Sequence, residues 1–143
     1  MDRYPDAEPV VDAAAVDLLA RTLWGEARGE GAAGMAAVAA VVLNRLKRPA
    51  RFGAGIEAVC RAPKQFSCWN QGDPNRERAL TVTEADRAFA AARRIARRAL
   101  AGALDDPTRG ACHYHAAGCF PRWARGRAPC AAIGRHLFYN DVE

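Results

Sequence analysis

The stretch Trp24-Gly25-Glu26-Ala27-Arg28-Gly29-Glu30-Gly31 decides how this chain is read, because two helical patterns meet across it. On its N-terminal side, Asp12 stands as an N-cap before residues 13–24, where Val16, Leu19 and Leu23, with Leu18 and Thr22, recur at helical spacing. Gly25 is expected to interrupt that run, and Gly29, Gly31 and Gly34 crowd just beyond it, marking a turn with close backbone approach. On its C-terminal side, a second helix over about residues 32–46 is apolar nearly all round from Met35 to Leu43, which predicts a buried central helix. Asn44, Arg45 and Lys47 then restore polarity, and Pro49 closes the segment. Glu26 follows Leu23 by three residues and Leu19 by seven, so it turns toward the apolar face if the first helix reaches that far. A carboxyl group at such a junction loses hydration and its pKa rises, as a general acid working near neutral pH requires. Glu30, between two glycines, is expected to be more exposed; pairing with Arg28 or capping the second helix are its structural alternatives.

The composition agrees with closely packed helices. The chain has 143 residues, 50% hydrophobic, 26% charged and only 8% aromatic, which fits one domain. About a quarter of it is alanine, which favours helix and buries little area per residue. No apolar stretch approaches the roughly 18–20 residues of a membrane span, and neither low-complexity runs nor sustained repeats are present. The net charge of +5 suits an anionic partner such as nucleic acid, phospholipid or an acidic cell-wall polymer, or solubility alone.

Further along, a short helix is expected over residues 56–60, followed by a Pro-, Gly-, Asn- and Gln-rich loop over residues 61–75. Thr83-Glu84-Ala85-Asp86 resembles a capping box, and the helix it opens runs to about Ala101, where Gly102 stops it. Its arginine pairs Arg93/Arg94 and Arg97/Arg98 form a solvated basic face. The last forty or so residues read as loops with two short strands around residues 112–115 and 136–139. No linker divides the chain, so a polar extension over residues 1–11 precedes a single domain over residues 12–143.

Apart from Glu26, two groups of residues carry chemistry. The loop aromatics and amides Gln65, Phe66, Trp69, Asn70, Gln71, Tyr114 and Trp123 are of the kind that recognises sugars, since rings stack on pyranose faces and amides bond hydroxyl or acetamido groups. The cysteines Cys60, Cys68, Cys112, Cys119 and Cys130, with His113 and His115, raise the question of zinc. No C-x2-C or H-x3-5-H spacing is present, so buried thiols or a disulfide such as Cys60–Cys68 are the favoured reading. Neither a nucleophile elbow nor a phosphate-binding glycine loop occurs.

Gly25-Glu26-Ala27-Arg28-Gly29-Glu30, with residues 36–45 ending in Leu43-Asn44-Arg45 at the expected distance, resembles the cell wall hydrolases of the SleB/CwlJ type. Gln65-Phe66-Ser67, Asp106-Pro107-Thr108 with residues 110–114, Pro121-Arg122-Trp123 and Ile133-Gly134-Arg135-His136 before Phe138 extend the resemblance over residues 18–139. It implies an α+β, predominantly α, lysozyme-like domain with a few short strands, and cleavage of the glycan strands of peptidoglycan. Glu26 matches the family's catalytic glutamate. Protonation of the oxygen between N-acetylmuramic acid and N-acetylglucosamine, followed by attack of the muramic C6 hydroxyl, closes a 1,6-anhydro ring: lytic transglycosylation, which needs one carboxylate where ordinary glycosidases need two. Attack by water would make the same site a hydrolytic muramidase. Outside enzymes, the alternatives are a non-catalytic wall-binding module or a small zinc-binding module.

On this reading Glu30, Gln65, Phe66, Ser67, Trp69, Tyr114 and Trp123 bind substrate. His113, His115 and His136 are candidates for tuning activity with pH. No cofactor and no metal are expected; the partner is peptidoglycan, without nucleic acid or stable membrane insertion, and the chain acts as a monomer. The polar, acidic N-terminus lacks the cationic start and apolar core of a signal peptide. The expectation is a phage-type endolysin, cytosolic until a holin-like route releases it to the wall, or a wall enzyme whose leader is not in this sequence.

Overall fold

A computed structural model describes residues 11–63 and 65–143 of the chain, so all but Val11 of the expected polar extension lies outside the described residues. Among these residues six α-helices come first: α1 (Ala13–Ala27), α2 (Gly31–Leu46), α3 (Pro49–Phe52), α4 (Gly55–Arg61), α5 (Pro74–Thr81) and α6 (Arg87–Leu100). Three short strands follow: β1 (His113–Ala116), β2 (Ala131–Ile133) and β3 (His136–Tyr139). α1, α2 and α6 pack on one another, α4 and α5 flank α1, and the sheet lies against the far side of α2. The architecture is the expected mainly helical α+β domain.

α1 begins where predicted, with Asp12 Oδ1 accepting from the Ala14 N–H at 2.9 Å. It does not end at Gly25. The helix continues through Gly25 and Glu26 to Ala27. The reason for glycine is steric: a Cβ on Gly25 would stand 2.7 Å from Cys68 Cβ and 2.8 Å from its Sγ, so only a bare backbone lets the Cys68 segment rest on α1. Gly25→Ala is therefore expected to destabilise the protein by about 1–3 kcal/mol despite alanine's better helix propensity, read as a lower urea midpoint. The expected turn forms at Arg28–Glu30, a single 3-10 turn that ends on Gly31 with φ +72°.

α2 is buried on both sides. Residues Ala37 to Val42 are consecutive in the core, which a helix achieves only when neighbours cover opposite faces. Ala37 and Val41, one turn apart, meet Ala111 and Phe138 beneath the sheet, while Met35, Val38 and Val42 join the cluster shared with α1 and α6. The small side chains predicted from composition thus serve a helix sandwiched between two layers.

Several local expectations change. Pro49 opens the single turn α3 rather than only closing α2, and Asp73 with Pro74 starts the short helix α5, with Asp73 Oδ1 accepting from the Asn75 N–H at 2.8 Å. The cap of α6 is Asp86, which accepts from the Phe89 N–H at 3.0 Å; Thr83 instead holds the preceding turn through its carbonyl. Arg94, Arg97 and Arg98 are exposed, as expected of a solvated face. The sheet is antiparallel in the order β1-β3-β2, with both Tyr114 and Ala131 opposite Phe138. β2, three residues of Ala-Ala-Ile, is too short to show a strand period, and only two strands are legible.

All five cysteines are free thiols, so Cys60–Cys68 is not a disulfide; Cys60, Cys68 and Cys112 are buried. Burial pushes the Cys60 thiol up to about 11 and raises Cys68 further, which keeps both protonated and inert. Among the described residues no group of three His, Cys, Asp or Glu side chains stands close enough together to hold a metal ion. No described helix is long and apolar enough to cross a membrane.

Candidate active site

Glu26 lies in the last turn of α1, where the helix leaves the core and the carboxylate reaches an open groove. Ser67 Oγ donates to Glu26 Oε2 and the Tyr114 hydroxyl donates to Oε1, each at 3.4 Å. Two different parts of the fold deliver these donors. Ser67 starts the 3-10 turn Ser67–Trp69 that rests on Gly25 through Cys68, and Tyr114 stands on β1, stacked on Phe138 at 5.6 Å between ring centroids. Burial raises the Glu26 pKa above the usual carboxylate range, while hydrogen bonds from the Cys68 and Ser67 segment pull the other way. Burial, and then the Glu26 charge, also push the Tyr114 phenol up, so it stays protonated as a donor to the carboxylate.

Two cavities meet at Glu26. The larger, about 690 Å³, runs along Ser67, Gln65, Arg45, His113, Tyr114 and Trp123. The smaller, about 370 Å³, runs along Glu30, Ala117, Gly118, Arg135 and His136. Both include Glu26 and Ala116, so the carboxylate sits at the joint of one continuous cleft.

The structure brings Gln65, Ser67, Tyr114 and Trp123 into the larger cavity and parts Phe66 and Trp69 from them. Along this segment Gln65 and Ser67 face outward while Phe66, 1% exposed, and Cys68 point into the core. The Phe66 ring lies under the Arg45 guanidinium at 5.3 Å and has no face left for a sugar. Trp69 turns to the other side of α1, where its Nε1 donates to Thr22 Oγ1 at 2.9 Å beside a separate cavity. Both rings support the loop from behind.

Glu30 neither pairs with Arg28 nor caps α2 with its side chain. Its Oε1 accepts from the Arg135 backbone N–H at 3.1 Å and from Arg135 Nε at 3.4 Å, tying the turn between β2 and β3 to the start of α2. Arg28 instead lies over the Trp24 ring at 4.1 Å and donates to Asn75 Oδ1 at 2.9 Å.

The three histidines that are candidates for pH tuning are packed into the wall of the cleft. His113 is packed against Phe52 and Trp123, and burial, with Arg45 and Arg51 nearby, holds its pKa at about 4. Burial lowers His136 as well. His115 is fully engaged: its Nδ1–H donates to the Ala116 carbonyl at 2.7 Å, so Nε2 accepts from the Tyr139 hydroxyl at 2.8 Å.

Sequence reasoning missed Arg45, Cys119 and Phe120 in the larger cavity. Arg45 reads as the polar end of an apolar helix, although it is buried. Phe120, 82% exposed at the rim, sits in a segment too irregular to show a face.

Known proteins of similar sequence and fold identify the family. The chain is 34% identical over 128 residues to the spore cortex-lytic enzyme of Halalkalibacterium halodurans and 31% identical over 126 residues to that of Bacillus subtilis. Those matches take in 87% and 86% of this chain but only 34% and 36% of the relatives, so the chain spans about a third of their length. Among solved structures, the catalytic domain of the germination-specific lytic transglycosylase SleB from Bacillus anthracis superposes with a TM-score of 0.69 at 26% identity, over 94% of this chain and 98% of that one. The catalytic domain of Bacillus cereus SleB superposes with a TM-score of 0.71, also at 26% identity, over 95% and 97%. The family model for cell wall hydrolases matches residues 29–139, and by that match, together with the shared fold, the chain belongs to the cell wall hydrolase family.

Proposed function

We propose that this chain cleaves the glycan strands of peptidoglycan as a lytic transglycosylase, with Glu26 as both acid and base. One observation carries the reading: a glutamate with a raised pKa stands at the joint of a continuous cleft, and the only other carboxylate of the cleft among the described residues, Glu30, is held by Arg135. A glycan lying along the cleft crosses Glu26 with sugars on both sides. Protonated Glu26 gives its proton to the bridging oxygen of the MurNAc–GlcNAc bond as that bond breaks. Positive charge builds on the muramyl C1 and ring oxygen, and the carboxylate left behind stabilises it. The muramyl C6 hydroxyl then bonds to C1, its proton returns to Glu26, and the enzyme is restored without consuming water. The Tyr114 and Ser67 hydroxyls orient the carboxylate and favour its charged form in the second half of the cycle.

The test is the product. Purified protein acting on isolated sacculi is expected to release muropeptides one water lighter than their hydrolytic counterparts, seen by mass spectrometry. Ordinary reducing ends would replace the transglycosylase with a muramidase, and no release at all would overturn glycan cleavage.

A further inference from the structure

Beyond Arg45 the larger cavity opens into a side cavity of about 270 Å³, which shares Arg45, Gln65 and His113 with it and adds Arg51 and Phe52. Arg45 is 5% exposed, and burial lowers its pKa. Its Nε donates to the Cys112 carbonyl at 2.8 Å and Nη1 to Gln65 Oε1 at 3.2 Å. Among the described residues no carboxylate pairs with it, and Nη2 has no protein partner. A buried guanidinium without a counter-charge is costly, and folds ordinarily supply one. Here further positive charge is added instead: Arg48 and Arg51, with Arg45, surround the Phe52 ring at 5.8, 5.0 and 5.2 Å. Among the described residues no acidic side chain lines the side cavity. Among the described residues the counter-charge for Arg45 is therefore missing.

Resting on the glycan-cleavage reading, we propose that this arginine-walled side cavity is a carboxylate subsite for the substituent on the muramyl C3 oxygen. Every second sugar of a peptidoglycan strand carries a lactyl ether there, ending either in a free carboxylate or in a peptide whose own carboxylates are free. A strand threaded past Glu26 must project that group sideways, and at Arg45 the cleft has a side opening. Planar guanidinium groups match carboxylates with paired hydrogen bonds, and the aromatic floor holds them flat. His113, neutral among these cations, contributes shape rather than charge. The subsite makes substrate choice depend on whether the muramyl carboxylate chemistry is present.

The experiment measures binding calorimetrically with the Glu26→Gln protein, so that nothing is turned over. Three tetrasaccharides are compared: chitotetraose, which has no carboxylate; peptide-free (GlcNAc-MurNAc)2, with lactyl carboxylates; and the same glycan carrying L-Ala-D-Glu peptides. At least one carboxylate-bearing glycan is expected to bind about tenfold more tightly than chitotetraose, the advantage shrinking with salt. Preference for the peptide-free glycan assigns the lactyl carboxylate, and preference confined to the peptidyl glycan assigns the stem. Arg45→Gln is expected to abolish the preference; because it also removes a core hydrogen bond, the surface pair Arg48→Gln/Arg51→Gln is measured beside it and is expected to reduce the preference several-fold while leaving chitotetraose affinity unchanged. Equal affinity for all three glycans, or a preference that neither variant reduces, overturns the subsite and leaves the cleavage reading standing. Failure of all three to bind overturns both.

Discussion

Glu26→Gln is expected to lower muropeptide release by about 10²–10⁴-fold, the usual contribution of a positioned general acid–base group. Glutamine keeps the size of the side chain and a carbonyl oxygen to accept from Tyr114 and Ser67, but has no proton of the right acidity to give to the leaving oxygen. The loss should fall on kcat more than on KM, because the proton moves in the transition state. Full activity in the variant would remove Glu26 from the mechanism. The same substitution carries a stability signature that separates lost chemistry from lost fold. Burial raises the Glu26 pKa in the folded protein. Its contribution to stability is therefore fully present below the ordinary carboxylate pKa and is lost as pH rises through the raised one. Glutamine cannot ionise, so the variant should melt above the parent at neutral pH and converge with it in acid below about pH 4. In the parent, the alkaline limb of the pH–rate profile should follow deprotonation of Glu26, since its acid role needs the proton.

Phe66→Ala should be the most damaging core substitution near the site, at about 3–5 kcal/mol. The ring is fully enclosed and supports the Arg45 guanidinium from below, so its removal leaves a void where the loop, the second helix and the first strand meet. The measurement is the urea midpoint. A ring that stacked on sugar would show the opposite pattern: a raised KM and an unchanged midpoint. That pattern would return Phe66 to the substrate-contact role its place in a polar loop implies.

Phe66 illustrates where sequence reading stops. A Gln-Phe-Ser-Cys-Trp run among prolines, glycines and amides looks like an exposed recognition loop, and half of it is one. Which residues face the cleft depends on the 3-10 turn at Ser67–Trp69 and on Gly25, whose missing side chain lets Cys68 settle on the first helix. Glycine in a helical pattern reads as a break; only the partner segment, more than forty residues later, reveals it as a contact. Glu30 shows the same limit from the other direction. Its neighbours in sequence offer a cap and an arginine, yet it binds Arg135 from the far end of the chain.

The central apolar helix, the Asp12 cap, the mainly helical α+β fold and the placing of Glu26 at a core boundary all follow from the sequence. They rest on local periodicity and capping chemistry, which act within a few residues. The cleft, the raised pKa of Glu26, the turning of Phe66 and Trp69 away from it, and an Arg45 with no carboxylate partner among the described residues belong to tertiary structure alone. Desolvation and charge balance are set by whatever packs nearby, and at Glu26 and Arg45 those neighbours come from loops and strands remote in sequence.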